Sequence, residues 1–291
     1  MWEQVIINTS RGQFEVFVSG SGDPLCVTHL YSEFNERGNY FADMFVRSFR
    51  VYLVNLKEAG NSSKVQEEKD LSMLDSVKDL EAIRKALGFD QWSFAGHSTG
   101  GMLGLVYGTH YQKSLKRLLV GGATATKEYM NHKDSIYSSL NPSNIRLKEL
   151  LNIIKTSDSL VERRKAGREW TEMSLYDKSK FDEYFSKPSS GKVVPKRLDY
   201  FSYKELPSFD IRADLPEIKI PTFVYCGLHD SQCPFDFSRE IHSLIPHSKL
   251  YVFEKSNHNP FLEEKEEFHK MVMDYTELLQ SQLKNNKMPK F

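Results

Sequence analysis

The sequence predicts an α/β protein: a mostly parallel β-sheet flanked by helices, with a helical insertion late in the chain. Three observations point there. Short apolar runs alternate with amphipathic helical stretches, which implies parallel strands covered on both faces. One long interval, 126–208, carries helical spacing and no clear strand pattern. The chain has 291 residues, 40% of them apolar, enough to bury a core without disulfides.

The elements follow in order. Val5-Ile6-Ile7 meets a turn at Ser10-Arg11-Gly12, and Phe14, Val16 and Val18 then alternate with polar residues up to the breaker Gly20–Pro24. Leu25-Cys26-Val27 and Val51–Val54 read as buried strands, with Tyr40, Phe41 and Phe45 at helical spacing within 35–49. Leu71, Leu74, Val77, Leu80, Ile83 and Leu87 form one face of a helix that Gly88 ends. Trp92–Ala95 is a strand, Met102–Tyr111 a helix, and Leu118–Val120 the sixth strand. Pro221–Cys226 and Leu250–Phe253 resume the strand pattern, and a helix over about 263–283 closes the chain. The charged run Glu263–Glu267 reads as its solvated face. The insertion shows three helical stretches: Leu147 to Ile154, Leu160 to Met173, and Phe181 to Phe185. The expected organisation is a core of 1–125 and 209–291 with a helical lid, 126–208, inserted after the sixth strand.

Composition excludes several functions. Lys plus Arg number 39, as do Asp plus Glu, so no basic surplus marks a nucleic-acid binder. No run of about 18 apolar residues predicts a membrane span. Met1-Trp2-Glu3 does not open a secretory signal. The three cysteines, Cys26, Cys226 and Cys233, are too few and too scattered for a disulfide scaffold or a zinc knuckle, although Cys233 is expected to be partly exposed. No Walker or G-x-G-x-x-G pattern occurs, so no nucleotide cofactor is implied, and neither His97 nor His229 pairs with another ligand at metal spacing, so no metal is expected; the expectation is no cofactor. The expectation is a soluble, cytoplasmic protein with a small-molecule substrate and neither nucleic-acid nor membrane partners.

One constellation carries chemistry. Gly96-His97-Ser98-Thr99-Gly100 follows a strand and precedes a helix. This spacing is a nucleophile elbow, whose tight turn exposes the serine hydroxyl and requires small residues two before and two after it. A serine needs a base, and the base an orienting acid. Asp230 follows the strand ending at Cys226, and His258 follows the strand ending at Phe253. Three residues thus leave three strands at one sheet edge, in the order Ser98, Asp230, His258. His29, His97 and His229 read as loop-shaping, packing and averted side chains.

With these residues the chain resembles an α/β-hydrolase-fold serine hydrolase along nearly its whole length. His29 resembles the family's oxyanion motif, and Asn55–Ser62 its Asp-x-x-Gly-x-Gly-x-Ser loop. The elbow Gly96–Gly101 and the lid's length and position are most similar to the proline iminopeptidase-like branch. The resemblance implies that backbone N–H groups of Thr99 and Tyr31 form the oxyanion hole. Where that branch has His-Gly-Gly-Pro-Gly, this chain has His29-Leu30-Tyr31-Ser32-Glu33. The branch's lid carries Trp-x-x-Trp-Glu, whose glutamate holds the substrate's amine. The nearest match is Trp170-Thr171-Glu172-Met173-Ser174, so Met173 and Ser174 stand at the Trp-Glu positions.

The reading is a serine hydrolase cleaving a small ester or amide through an acyl-enzyme on Ser98. A proline iminopeptidase-type aminopeptidase is the first alternative, and it needs a lid carboxylate in the pocket. Glu169 and Glu172 are its candidates, with Trp170 as a further substrate contact. A non-catalytic ligand sensor is the alternative of another class, and turnover of p-nitrophenyl acetate separates it.

Overall fold

The computed structural model describes residues 2–286, with side chains through residue 277. Eight strands form the main sheet: β1 (Glu3–Thr9), β2 (Gly12–Ser19), β3 (Asp23–Val27), β4 (Phe49–Val54), β5 (Trp92–His97), β6 (Leu115–Gly121), β7 (Thr222–Gly227) and β8 (Ser248–Phe253). Their order across the sheet is β1-β2-β4-β3-β5-β6-β7-β8. The β1–β2 and β2–β4 pairs are antiparallel, and every other pair is parallel. The early hairpin therefore sits at one edge and the parallel strands run on from it.

Alternate residues of these strands feed two cores. Cys26, Val54, Phe94, Val120 and Val224 pack with the helices α1 (Met73–Ala86) and α2 (Thr99–Tyr111). Leu25, Val27, Leu53, Ala95, Leu119, Phe223 and Tyr225 pack on the other face with Phe268 and Tyr275 of the closing helix, Lys265–Asn286. Burial on both faces is why the strands read as unbroken apolar runs. Helix α1 starts on Ser72, whose hydroxyl accepts from Asp75 N–H, and Gly88 beyond its end has φ +75°.

Between β6 and β7 the chain makes α3 (Asn144–Thr156), α4 (Leu160–Glu172) and several single turns, among them Phe181–Tyr184. Three features differ from the sequence reading. Only Tyr40–Asp43 of the 35–49 stretch is helical, capped by Asn39; Phe41, Phe45 and Phe49 are spaced by mutual packing on Phe268 and Tyr275. Lys192–Val193 pairs antiparallel with Ser32–Glu33, a two-residue ladder too short to leave a pattern. The chain turns at Pro260–Glu263 before the closing helix starts at Lys265, and this turn carries Glu263 inward. Among the described residues, no helix is long and apolar enough to cross a membrane.

Candidate active site

Ser98 lies where β5 passes into α2, with φ +56° and ψ −127°. Glu58 is the other described non-glycine residue with positive φ. Such a backbone costs of order 1–3 kcal/mol and persists where its surroundings enforce it. The surroundings do so here. Ser98 N–H donates to Gly121 O at 2.9 Å. A Cβ on Gly96 would lie 2.1 Å from Gly100 O, and one on Gly100 would lie 2.4 Å from Thr28 O. Both positions are glycine because the turn leaves no volume for a side chain. Thr99 opens α2, where free N–H groups and the helix dipole favour negative charge.

His258 Nδ1 lies 3.0 and 2.9 Å from the two Asp230 oxygens. Both side chains are buried. Asp230 Oδ1 also accepts from the N–H groups of Gln232, at 2.9 Å, and Cys233, at 2.8 Å. These bonds fix the carboxylate's orientation toward the imidazole. Ser98 and His258 border the same turn: Ser98 N–H holds Gly121 O, and a Cβ on Gly122 would sit 3.1 Å from His258 Cε1.

The histidine's loop is clamped by a residue the sequence reading assigned to solvent. Glu263 Oε2 accepts from Asn257 N–H at 2.9 Å and Asn259 N–H at 3.2 Å, the two neighbours of His258. Its Oε1 accepts from Tyr176 N–H at 2.5 Å. Burial holds the Glu263 carboxyl above the usual carboxylate range, while the three N–H groups and His258 pull it back. Glu264 also turns inward, onto Lys255 N–H and Ser256 Oγ. His258 N–H itself donates to Ser174 O at 3.2 Å.

Tyr31 sits on the loop after β3, beside Thr99. Its N–H lies 3.5 Å from His29 Nδ1, and its carbonyl accepts from Val194 N–H at 2.8 Å. His29 bridges the loop to the elbow, with Nδ1 2.8 Å from Ser32 Oγ and Nε2 3.0 Å from Thr99 Oγ1. Burial pushes His29 down to about 3, with His258 and Arg197 adding to the effect, so its ring is neutral. Leu30 stands where the related branch has glycine, and its carbonyl is bound by the buried Arg197. The same guanidinium donates to Lys57 O at 3.2 Å, Leu71 O at 3.3 Å and Ser76 Oγ at 2.6 Å. Burial draws Arg197 down to about 10.

The remaining candidates lie on α4 and just after it. Glu169 pairs with Arg146 at 2.7 Å, and Glu172 with Arg168 at 2.8 Å, both on the partly exposed side of the helices. Trp170 Nε1 is buried without a hydrogen-bond partner. Met173 and Ser174 are the ones that reach the site. Met173 O accepts from Ser231 Oγ at 3.0 Å, and buried Ser174 Oγ accepts from Gln232 Nε2 at 2.8 Å. Gln232 Oε1 accepts in turn from Tyr137 Oη at 2.8 Å. His97 lies with its ring 4.6 Å from that of His258, and its Nδ1 is 2.8 Å from Tyr225 Oη. The His229 ring lies 4.8 Å from that of Tyr176, tilted by 38°. Cys233, expected to be partly exposed, is buried under the acid loop, and burial raises its thiol well above the usual value. Among the described residues, no group of three or more His, Cys, Asp or Glu is arranged to hold a metal ion.

Comparison with known proteins follows the same lines. The family model for the alpha/beta hydrolase fold matches residues 35–265. An alpha/beta fold family hydrolase from Bacillus anthracis str. Sterne superposes with a TM-score of 0.92 at 51% identity, covering 94% of this chain and 99% of that one. The AB hydrolase superfamily protein YisY of Bacillus subtilis (strain 168) is 26% identical over 88% of this chain and 92% of its own. A proline iminopeptidase of Clostridioides difficile (strain 630) is 27% identical over 81% of this chain and 84% of its own. The model match spans most of the chain, and the eight-stranded sheet has the order and directions described above: this protein belongs to the α/β-hydrolase fold family.

Proposed function

We propose that this protein is a serine hydrolase acting on small, uncharged carboxylic esters or amides. The observation that carries the reading is the strained Ser98 at the elbow, at the same sheet edge as the buried Asp230–His258 pair. Ser98 Oγ attacks the carbonyl carbon. His258 takes the hydroxyl proton on Nε2, since Nδ1 faces Asp230, and delivers it to the leaving group. Asp230 holds the tautomer and stabilises the imidazolium. The N–H of Thr99, helped by the α2 dipole, and the N–H of Tyr31 receive the oxyanion. In the resting loop the Tyr31 N–H faces His29 Nδ1 at a weak 3.5 Å, a contact that a developing oxyanion would outcompete. Water then cleaves the acyl-enzyme by the same proton route. In this reading residues 126–208 form the lid of a core made of 1–125 and 209–291, and the lid's inner wall is the stretch from Met173 to Tyr176.

The test is covalent labelling by a fluorophosphonate together with p-nitrophenyl acetate turnover. Ser98→Ala should abolish labelling and lower kcat by on the order of 10⁴–10⁶, with an unchanged circular dichroism spectrum. Undiminished labelling of the variant would place the nucleophile elsewhere. Absence of both labelling and turnover in the wild type would favour a ligand sensor.

The likeness to a proline iminopeptidase raises the aminopeptidase reading, and the lid argues against it. A substrate ammonium in a buried pocket needs an anion, because an unpaired buried charge costs several kcal/mol. At the matching positions stand Met173 and Ser174, and Ser174 is occupied by the neutral Gln232 amide. Glu169 and Glu172 already pair with arginines, and Glu263 spends both oxygens on backbone N–H groups. Neutral acyl groups should be preferred.

A further inference from the structure

A cavity of about 200 Å³ lies against the elbow. Its walls include Thr28 and His29, which abut Gly100. They also include His97, which precedes Ser98, and Asn259, which follows His258. Five further walls are rings: Phe34, Tyr40, Phe41, Phe185 and Phe261. Phe185 comes from the segment between β6 and β7, and the others from the core.

The polar side chains in this lining are largely used up. Thr28 Oγ1 donates to Val54 O at 2.8 Å, and Ser32 Oγ is 2.8 Å from His29 Nδ1. His29 Nε2 is taken by Thr99 Oγ1 at 3.0 Å. Asn39 donates to Ser190 O at 2.9 Å and accepts from Phe41 N–H at 3.0 Å. Among the described residues, none of the lining side chains is Lys, Arg, Asp or Glu. Burial keeps both histidines of the wall neutral. Of the fully buried polar side-chain atoms on these walls, one is left over: His97 Nε2 has no hydrogen-bond partner.

We infer that this cavity is a subsite for an uncharged, ring-sized part of the substrate, a phenyl or a group of similar bulk. The inference rests on the serine-hydrolase reading and names the substrate class of that site. The size fits, because a cavity of about 150 Å³ lined by apolar side chains holds a benzene molecule. The chemistry fits as well. Aromatic rings pack edge-to-face with one another, and the wall already shows this habit in Tyr40 on Phe185, at 5.8 Å and 76°, and Phe41 on Phe261, at 5.5 Å and 64°. A charged group would find no counterion there.

The ring could belong to the acyl part or to the leaving group, and two substrate pairs separate these. Trifluoroethyl phenylacetate against trifluoroethyl acetate moves a ring into the acyl part with one leaving group. Phenyl acetate against trifluoroethyl acetate, each normalised to its hydroxide rate, moves a ring into the leaving group. One pair should show kcat/KM about tenfold higher for the ring compound. Leu262, which also lines the cavity, is the place to fill it: Leu262→Trp should remove that preference and weaken benzamide binding by about tenfold, and a variant that keeps both would overturn the inference. Direct titration calorimetry of the wild type is a readout independent of turnover: benzamide should bind at least about tenfold more tightly than benzoate or benzamidine. The inference is overturned if neither pair shows a preference, or if the two ions bind as well as benzamide. Loss of all esterase turnover and of Ser98 labelling, with benzamide still selected, would sink the hydrolase reading and leave the subsite standing.

Discussion

His29 makes acid a specific threat to this fold. An unfolded histidine takes up its proton near pH 6.5, whereas His29, desolvated in the fold, holds out to about 3. Its folded value is lowered, so the stability it contributes is full above about pH 6.5. It is lost as pH falls from there toward 3, because only the unfolded chain binds the proton. At pH 5 the unfolded site is nearly all protonated and the folded site nearly all neutral. The difference amounts to about 1.5 pH units, or about 2 kcal/mol relative to pH 8. That is a sizeable share of the 5–15 kcal/mol typical of a whole domain. The assay is urea unfolding at a series of pH values for the wild type and His29→Gln. Loss of the ring's bonds to Ser32 and Thr99 lowers the variant's stability at every pH and so cancels from the comparison. Carboxylates such as Glu15, held low by Asn61 and Asn55 against their own desolvation, titrate in both proteins and cancel too. Between pH 8 and 5 the wild type should lose about 2 kcal/mol more than the variant. Equal losses would mean that His29 is protonated in the folded protein and that the neutral bridge from Ser32 to Thr99 is wrong.

Other outcomes follow from the same geometry. Arg197→Lys should lower kcat by about tenfold or more with a smaller change in KM, because one ammonium cannot serve the four acceptors a guanidinium fork reaches; unchanged kcat would show that the Leu30 loop holds itself. Glu263→Ala removes the acceptor of two part-buried N–H groups, those of Asn257 and Asn259, at about 1–3 kcal/mol each where water cannot replace the carboxylate, and should cost at least about 2 kcal/mol in thermal unfolding. For Glu263→Gln the sign comes from the raised folded value: the wild type's advantage is present below about pH 4.3 and lost as pH rises, so the variant's relative stability should improve from pH 4 to pH 7 in urea titrations. With acetyl, butyryl and prolyl groups on one common leaving group, the neutral acyl groups should give the higher kcat/KM; a prolyl advantage above tenfold, about 1.4 kcal/mol, would mean that an anion faces the pocket.

The strands and the main helices were legible because their periodicity records burial. A parallel strand buried on both faces is apolar throughout, and α1 repeats Met73, Val77, Leu80 and Ile83 toward one core. Ser98 was legible for a different reason: a turn that leaves 2.1 Å for a Cβ admits only glycine at position 96, so geometry writes itself into residue type. Glu263 shows the opposite case. A glutamate in a charged run has the composition of a wet helix face, and only the break at Glu264, between the helical turn Pro260–Glu263 and the closing helix, turns it onto the His258 loop. Arg197 was invisible because its partners are three backbone carbonyls and a serine, scattered between residues 30 and 76, and carbonyls have no sequence signal. The aromatic spacing of 35–49 misled for a related reason, since rings that pack on one another mimic helical periodicity.

These unreadable contacts share a direction: they tie the 126–208 segment to the loop after β3 and to the loop that carries His258. Its end near 190–197 holds the loop after β3, through Val194 N–H on Tyr31 O, the short ladder on Ser32–Glu33, and Arg197 on Leu30 O. Its stretch from Met173 to Tyr176 holds the histidine loop, through Ser174 O on His258 N–H and Glu263 on Tyr176 N–H. Farther out, α3 and α4 are linked by the Arg146–Glu169 pair, a partly exposed contact of the kind worth about 0–1 kcal/mol. The two helices also bury Leu147, Leu150 and Ala166, so the segment has apolar burial of its own beside its ties to the two loops. Substitutions on the exposed sides of α3 and α4 can be made without touching the loop after β3 or the histidine loop. A change at Ser174 or Arg197 cannot, since each holds a loop of the site directly. Position 174 shows how far such a residue is committed: its backbone carbonyl accepts from His258 N–H at 3.2 Å and its hydroxyl accepts from Gln232 Nε2 at 2.8 Å, so the residue that stands where the related branch has its glutamate is held on both its backbone and its side chain.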